Sequence, residues 1–457
     1  MARKRTRKKK QDSLSEIPKL DSLKQLNLNA AGLDIGAEEI YACVPEDRDS
    51  QSVRVFSAFT IDLYALADWL QTCGVDTVAM ESTGIYWIPI YEILEERGFE
   101  VFLVNARQIK NVSGRKTDIL DCQWIQQLHT YGLLRASFRP SEDICALRSL
   151  VRHRDNLIRY RSAHTQHMQK ALNTMNLKLT NVVSDVTGVT GLKIIRDIVA
   201  GVHNPNELAR HRDYRCKKSE KEIAKSLHGN YRAEHIFELR QALELFDFYN
   251  LKIKACDDEI QDLYAAFEPQ VDVADNPLPP GRNPRGNEPE FDLRSYLYRM
   301  TGVDLTRIDG IDVLTAQTVV SEIGLDMSKW KSVKHFASWL GLSPNNQITG
   351  GKIIRRSTKR ITNRAAQALR MSALALTYSD SALGVFYRRM RAKHGAPKAI
   401  TATAHKLARI IYFMLKRREE YVDPGASYYQ EKYRERVVKN LEQKADKLGY
   451  KLVPNEA

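Results

Sequence analysis

The first part of the chain, from Ala31 to about Leu134, alternates short apolar runs with segments of helical spacing. Short runs of apolar side chains predict strands, and apolar side chains three and four residues apart predict helices. The predicted strands are AGLDIG, EIYACV, SVRVFSAF, DTVAME and EVFLVN, and the predicted helices are DLYALADWLQTCG and YWIPIYEILEERG. The first two strands would form the arms of a hairpin. This order predicts an α/β domain with a mixed sheet.

Two long helical stripes follow. The first runs through Leu147, Val151, Ile158, Thr165, Met168, Leu172, Met175 and Leu179. The second repeats at strict three-four spacing through Leu239, Ala242, Phe246, Tyr249, Ile253, Cys256, Ile260, Leu263 and Phe267. This a/d pattern predicts a coiled coil, either within the chain or between protomers. Its expected role is that of a spacer or an oligomer seam.

A stretch rich in proline and glycine, residues 269–292, predicts a flexible linker before a small, mainly α-helical domain. The end of the chain has the pattern of one polar amphipathic helix. The predicted regions are a basic disordered arm (1–30), the α/β domain (31–140), the helical coiled-coil region (141–268), the linker (269–292), the C-terminal domain (293–422) and the C-terminal helix (423–457).

The chain is strongly basic. Its 457 residues include 70 Lys and Arg against 56 Asp and Glu, which gives a net charge of +14. From Met327 to Arg418 there are twenty Lys and Arg and a single acid, Asp380. Solvated helical faces normally mix both signs, so an almost acid-free stretch indicates a surface that contacts phosphates. We therefore expect a nucleic-acid partner.

Cysteine usage and the chain start bear on the cellular compartment. The six cysteines show neither metal-ligand spacing nor a paired framework, as is typical of reduced cytosolic thiols. The basic start MARKRTRKKK lacks the apolar core of a signal peptide, and no apolar run is long enough to span a membrane. We expect a cytoplasmic, nucleoid-associated protein of a prokaryote, without membrane contacts.

Four carboxylates of the α/β domain form the strongest chemical pattern. Asp34 lies in the first predicted strand, and Glu81 directly follows the apolar run VDTVAM. Asp118 and Asp121 form the motif KTDILD, and residues i and i+3 share one helix face. Each acid alone is better explained as a cap or surface residue, with Asp118 suited to a helix N-cap. Together they predict oxygen ligands for Mg²⁺ or Mn²⁺ acting on a phosphodiester. The βββαβαβ order itself suits a ribonuclease-H-like core.

Two motifs of the C-terminal domain point to phosphate. IDGIDVLTAQTVVSEIG, residues 308–324, has the shape of a helix-hairpin-helix, whose turn can hold a phosphate through backbone N–H groups. Asp312 stands where a second glycine is common, and a plain helical hairpin is the alternative. The stretch LSPNNQITGGKIIRRSTKR sets the hydroxyl of Thr349 beside two glycines and the predicted nucleic-acid-binding residues Lys352, Arg355, Arg356, Lys359 and Arg360.

A hydroxyl among cations can attack a phosphate, because loss of its proton and the developing charge are both favoured. Gly350 and Gly351 would allow the backbone to approach a ligand closely. A Thr-Gly-Gly turn on a DNA-binding loop would have the same sequence without any catalytic role. The motif alone therefore leaves both interpretations of Thr349 open.

Taken in order, these motifs resemble one family, the DEDD transposases of the insertion-sequence family one-ten. GLDIG, MESTGIYW and KTDILD are similar to the segments that carry the family's four metal-binding acids. IDGIDVLTAQTVVSEIG, HFASWLGLSP, ITGGK and GAPKAITATAHKLARIIYFMLK are similar to its C-terminal transposase domain. The resemblance spans roughly residues 31 to 422.

The resemblance implies a RuvC-like nuclease domain joined through a coiled coil to a small helical domain. It also implies that Asp34, Glu81, Asp118 and Asp121 hold Mg²⁺ while a serine of the second domain attacks DNA and forms a transient phosphoserine. The two parts would come from different protomers of a tetramer. A structured RNA of the element, the bridge RNA, would pair with donor and target DNA.

This chain departs from the family at the nucleophile, where Thr349 in ITGGK stands in place of serine. The extra methyl group crowds an in-line attack and restricts χ1. Ser357 is a nearby substitute. The alternatives are a metal-dependent nuclease in which water attacks, a site-specific DNA invertase, and a nucleic-acid-binding descendant without catalysis.

Overall fold

The computed structural model describes residues 23–82, 84–105, 117–281, 283–284, 286–355, 357–358 and 362–453, without the side chain of Tyr429. The basic arm predicted at the start of the chain lies outside them up to residue 22. The chain forms two compact units, which divide between Arg139 and Pro140. Among the described residues, none of the helices combines the length and apolar character needed to cross a membrane.

The first unit is built on a five-stranded sheet of β1 (Ala30–Ile35), β2 (Glu39–Cys43), β3 (Val53–Ser57), β4 (Thr77–Glu81) and β5 (Glu100–Val104). The strands lie side by side in the order β3-β2-β1-β4-β5. The first three strands are antiparallel, whereas β4 runs parallel to both β1 and β5. The mixed sheet predicted from the hydrophobic pattern is confirmed, and its topology is compatible with a ribonuclease-H-like fold.

Helices cover both faces of this sheet: α1 (Thr60–Thr72), α2 (Trp87–Glu96) and α3 (Asp118–Thr130). Buried apolar residues of α1 and α2 share one core with Leu33 and Ile35 of β1. On the other face, Ile125 of α3 packs with Ala79 of β4 and with Val104 of β5. Because successive strand residues point to opposite faces, α3 lies on the face to which Asp34 belongs.

The second unit is mainly helical, with α4 (Glu142–Thr174), α5 (Val189–Ala200), α6 (Pro205–Ala209), α7 (Glu220–Ser226), α8 (Ala233–Ala266), α9 (Leu293–Thr301), α10 (Val313–Ile323), α11 (Val333–Trp339), α12 (Arg364–Ala375), α13 (Ala382–His394), α14 (Ala396–Arg417) and α15 (Gly425–Lys447). It also contains an antiparallel hairpin of β6 (Gln347–Thr349) and β7 (Lys352–Arg355). The helical C-terminal region predicted from the sequence is confirmed in this form.

The two long helices α4 and α8 pack against each other within one chain. Their direction is antiparallel, because Arg154 contacts Asp257 while Arg161, farther along α4, contacts the earlier residue Asn250 of α8. Most positions of the two predicted stripes are buried, among them Leu147, Val151, Met168, Leu172, Leu239, Ala242, Phe246, Ile253, Cys256 and Ile260. Their apolar spacing therefore reflects burial inside one chain.

The segment predicted as a linker, 269–292, forms no helix or strand among its described residues. Its backbone is nevertheless bonded to neighbouring helices. The Gln270 N–H donates to the carbonyl of Arg299 at 2.7 Å, and the carbonyl of Asn287 accepts from Arg154 Nη2 at 2.8 Å. The flexibility of this segment stays a prediction.

Candidate metal centre and hydroxyl hairpin

Asp34 lies on β1, in the middle of the sheet. This strand has antiparallel β2 on one side and parallel β4 on the other. Leu33 and Ile35 are buried in the core with α1 and α2, so Asp34 between them points to the opposite face. The alternating pattern of AGLDIG therefore sets one half-buried carboxylate at the sheet centre, on the side of α3.

Helix α3 supplies the other carboxylates. Its N-cap is Thr117, whose Oγ1 accepts from the Leu120 N–H at 3.3 Å. Asp118 is the first helical residue, so the alternative that it serves as the N-cap is wrong. Asp121 follows three residues later on the same side of the helix. Both carboxylates lie in the first turn, where the helix dipole favours negative charge.

Asp34, Asp118 and Asp121 form an acidic cluster. One carboxylate oxygen from each lies within 4.8 Å of the others. Burial raises the pKa of Asp34 to about 6, and the charges of Asp121, Asp118 and Glu81 raise it further in that direction. Carboxylates this close repel one another unless a proton or a cation lies among them. An all-oxygen donor set of this charge fits a hard divalent cation.

Glu81 is the last residue of β4, beside β1. Leu33 pairs with Met80 in this parallel pair, so Glu81 follows on the strand next to Asp34. Its carboxylate is not in the group within 4.8 Å found among the described residues, but its charge contributes to the raised pKa of Asp34. The structure brings three of the four predicted acids together and sets the fourth on the neighbouring strand.

Two residues near the acidic cluster were missed by the sequence analysis. Gly32 lies two residues before Asp34, and a Cβ there would be 2.3 Å from the backbone nitrogen of Gln126 in α3. Tyr41 is the partner of Asp34 across the hairpin, and its hydroxyl donates to Glu39 Oε2 at 3.1 Å. That bond, followed by the charge of Glu39, raises the pKa of Tyr41. Strand alternation could have indicated Tyr41, whereas nothing local marks Gly32.

Thr349 lies in the second unit, at the end of β6, and is exposed. It pairs with Lys352 across a tight turn in which Gly350 and Gly351 have φ of +54° and +75°. No atom would lie within 4 Å of a Cβ at either glycine, so both serve the turn conformation rather than packing. The structure presents the hydroxyl at the tip of a two-stranded hairpin.

Ser357 is held at the base of this hairpin. Its hydroxyl donates to the carbonyl of Asn345 at 3.1 Å, and its own carbonyl accepts from the Asn345 N–H at 2.6 Å. A hydroxyl engaged in tying two segments together is a poor nucleophile. The geometry therefore favours Thr349 over Ser357 as the reactive group.

The predicted phosphate contacts lie on and after β7. Lys352 and Arg355 are exposed on this strand. Arg356, Lys359 and Arg360 lie outside the described residues. The two described cations leave the hairpin with an exposed, positive strand beside the hydroxyl.

The turn before α10 differs from a phosphate-binding one. Gly310 has φ of +84°, and a Cβ there would lie 2.8 Å from the carbonyl oxygen of Ser372, so packing against α12 requires glycine. Asp312 Oδ1 accepts from the Thr315 N–H at 2.7 Å and caps the helix. A carboxylate thus occupies the N-terminal position that a phosphate would need. This arrangement favours the alternative of a plain helical turn.

Comparison with known proteins gives matches in both units. Residues 31–177 match a transposase family model, that of the DEDD transposases of the IS110 type. Residues 304–388 match the model described as transposase IS116/IS110/IS902 family. The transposase for insertion sequence element IS1328 of Yersinia enterocolitica is 23% identical over 396 residues, which cover 84% of this chain and 96% of that protein. The first match contains the acidic cluster, and the second contains Thr349.

Proposed function

Because this chain belongs to the IS110 family of DEDD transposases, we propose that it moves a DNA element by strand transfer through a covalent bond to Thr349. Its action as a DNA transposase follows from the family. The observation that carries the catalytic proposal is the acidic cluster, in which oxygens of Asp34, Asp118 and Asp121 lie within 4.8 Å of one another.

The acidic cluster and Glu81 are the proposed ligands of Mg²⁺ or Mn²⁺. Carboxylate oxygens from two strands and one helix turn suit such ions, which when bound polarise a phosphodiester and stabilise charge on its oxygens. The raised pKa of Asp34 supports this assignment, since burial among three other acids makes its lone carboxylate unfavourable. The protein's own part is to hold these oxygens in place before DNA arrives.

Thr349 is the proposed nucleophile. A bond from its Oγ1 to phosphorus forms while the bond from phosphorus to a deoxyribose oxygen breaks. The hydroxyl proton leaves to solvent and the departing oxygen takes up a proton, so the exchange balances. A hydroxyl at another DNA end then attacks the same phosphorus and frees Thr349. Lys352 and Arg355 support the step with positive charge beside the hydroxyl.

The remaining basic residues of the hairpin segment, Arg356, Lys359 and Arg360, are proposed to bind the DNA backbone. From the family we further propose a guide role for a structured bridge RNA and a homo-oligomer, from dimer to tetramer, in the cytoplasm at the nucleoid. Helices α4 and α8 would act as a coiled-coil spacer between the RuvC-like domain and the C-terminal transposase domain. The helix-hairpin-helix around Gly310 remains the least supported part, because Asp312 caps its helix.

Replacing Thr349 by Ala tests the nucleophile. We expect recombination between element ends and target to fall at least about a thousandfold, and no protein–DNA adduct to be trapped. Thr349→Ser should retain or raise activity, because it keeps the hydroxyl and removes the crowding methyl group. Undiminished recombination by the Ala variant would refute the assignment.

A metal-dependent nuclease in which water attacks is the second candidate. It is favoured by the acidic cluster, which assembles within one unit without any contribution from Thr349. Cleavage should then survive Thr349→Ala and vanish with Asp118→Asn. Strand transfer that needs both residues excludes this candidate.

A further inference from the structure

Helices α13, α14 and α15 bring together a group of cations that the hairpin does not include. Arg389 lies on α13, Lys406 and Arg409 lie on α14, and Arg436 lies on α15. We call these four residues the three-helix cationic cluster. From Ser381 to Arg418 the sequence contains ten Lys and Arg and no acid. Two of the three helices, α14 and α15, follow the residues matched by the transposase models.

Aromatic rings hold the stems of two of these cations. The Lys406 ammonium lies 4.4 Å from the ring centre of Phe386 on α13. The Arg389 guanidinium lies 3.4 Å from the ring centre of Tyr433 on α15. These cation–π contacts cross between helices, so they fix where the charges stand relative to one another. The C-terminal helix is thereby joined to the face that carries the other cations.

The cations of the cluster act on one another. Burial lowers the pKa of Lys406, and the positive charges of Arg409 and Arg436 lower it further. The pKa of His405 is likewise lowered by burial and then by Arg409. Positive charges that depress a neighbour's protonation disfavour each other in the free protein, and a bound polyanion removes that cost.

The nearest acid in sequence to Arg436 has another partner. The Glu435 carboxylate accepts from the Lys432 ammonium on its own helix at 3.2 Å. Arg409 and Arg436 are exposed, so their guanidinium groups are open to a ligand. Guanidinium groups held in a fixed arrangement are suited to phosphate oxygens.

We propose that the three-helix cationic cluster binds the phosphodiester backbone of nucleic acid, as an anchor separate from the hydroxyl hairpin and without base readout. The proposal rests on the proposed function only in taking the polyanion to be the DNA or RNA on which a transposase acts. Its physical basis is the convergence of cations from three helices on one surface. A phosphate between Arg409 and Arg436 would neutralise charges that otherwise repel.

A pair of matched double variants of the full chain tests this surface. Arg409→Gln with Arg436→Gln removes two exposed charges of the cluster. Arg391→Gln with Arg434→Gln removes two exposed charges from α13 and α15 at equal net charge. Because a helix turns by about 100° per residue, Arg434 faces away from Arg436, and Arg391 faces away from Arg389. All four side chains are exposed, so folding should be unaffected.

Binding is measured by fluorescence anisotropy at several salt concentrations, with a short DNA duplex and an RNA duplex of equal length as probes. The cluster variant should bind about tenfold more weakly, and the slope of log K against log salt should fall by about two contacts. The control variant should change affinity less than about twofold. A loss with one probe alone supports the site and identifies that nucleic acid as its ligand.

Unchanged binding of both probes by the cluster variant overturns the proposal. Equal losses in the cluster and control variants also overturn it, since they would report net charge alone. The outcome is independent of the catalytic proposal, because binding is measured without strand transfer. If Thr349→Ala kept full recombination, the nucleophile assignment would fail while this result stood.

Discussion

At the scale of single residues, Gly32 sets how closely α3 approaches the sheet. A Cβ at this position would lie 2.3 Å from the Gln126 nitrogen and 2.5 Å from the Cys122 carbonyl oxygen. Both atoms belong to backbone, which cannot swing aside as a side chain can. Because Asp34 follows two residues later on the same face, this contact controls the distance between the carboxylates of β1 and α3.

Replacing Gly32 by Ala should therefore disturb the acidic cluster more than the fold. We expect a loss of stability of about 1–3 kcal/mol from overpacking, with Mn²⁺ affinity reduced more than about tenfold. Calorimetric titration with Mn²⁺ and thermal unfolding measure the two effects. Gly98→Ala is the control, because its φ of +84° strains a Cβ that no atom contacts, so it should destabilise without changing Mn²⁺ affinity. Equal Mn²⁺ affinity in both variants would contradict the spacer role.

His129 of α3 is a buried imidazole with one printed side-chain partner. It is 1% exposed and lies 2.8 Å from Thr77 Oγ1, which itself donates to the carbonyl of Glu100. The His129 Nε2 must therefore be the donor, which fixes its tautomer. Burial lowers the pKa of His129 to about 4. The folded protein thus holds this ring neutral where the unfolded chain would protonate it.

Stability should depend on pH through this residue. Between pH 4 and 6.5 the unfolded chain binds more protons at His129, so the free energy of unfolding falls as pH falls through this window, by about 3 kcal/mol in all. Asp34 contributes the opposite slope in metal-free protein, because its folded pKa is raised. The difference between wild type and His129→Gln isolates the histidine. Denaturant unfolding at several pH values measures it, and a constant difference would contradict the prediction.

At the scale of elements, α4 and α8 are joined by charge as well as by their apolar stripes. Arg154 is 3% exposed, and its Nη2 donates to Asp257 Oδ2 at 3.1 Å and to the carbonyl of Asn287 at 2.8 Å. One guanidinium thereby connects two helices and the proline-rich segment. Its burial makes the partner carboxylate indispensable, since an unpaired charge in this position has no access to water.

Asp257→Ala should lower the free energy of unfolding of the second unit by about 3–5 kcal/mol, because it leaves a buried guanidinium uncompensated. Asp247 on the same helix offers a matched control. It accepts two bonds of 2.7 Å from Arg196, but both side chains are largely exposed. Asp247→Ala should cost less than about 1 kcal/mol. Urea unfolding of the two variants decides the point, and similar losses would show that burial is not the cause.

At the scale of the whole molecule, the acids and the hydroxyl lie in different compact units. The acidic cluster belongs to the unit that ends at Arg139, and Thr349 belongs to the unit that begins at Pro140. The proposed reaction therefore needs two units to act on one phosphate. The family suggests that they come from different protomers, which makes the catalytic groups separable by mutation.

Co-expression of the Asp118→Asn and Thr349→Ala proteins should restore recombination to about a quarter of wild type, because half of the protomers supply intact acids and half supply the hydroxyl. Each variant alone should be inactive. Recombination assays on purified mixed oligomers measure this complementation. Mixed oligomers that bind DNA but stay inactive would contradict an assembly of the active site across protomers.

The sequence by itself determined what local pattern can encode. Alternation and helical spacing predicted five strands, the long helices and the C-terminal helix, because burial of one face imposes a fixed period on the chain. The acids were recognised by their places at strand ends and in a DxxD motif. The basic stretch and the Thr-Gly-Gly turn were equally visible, since both depend on neighbours in sequence.

Only the tertiary structure decided which distant residues meet. The contact of Gly32 with α3, the pairing of Arg154 with Asp257 and the three-helix cationic cluster join positions about 30 to 100 residues apart. The same applies to Glu81, which follows Asp34 on a neighbouring strand yet lies outside the group within 4.8 Å. Periodicity assigns a side chain to a face, but its distance from other groups depends on how elements pack, which no local pattern records.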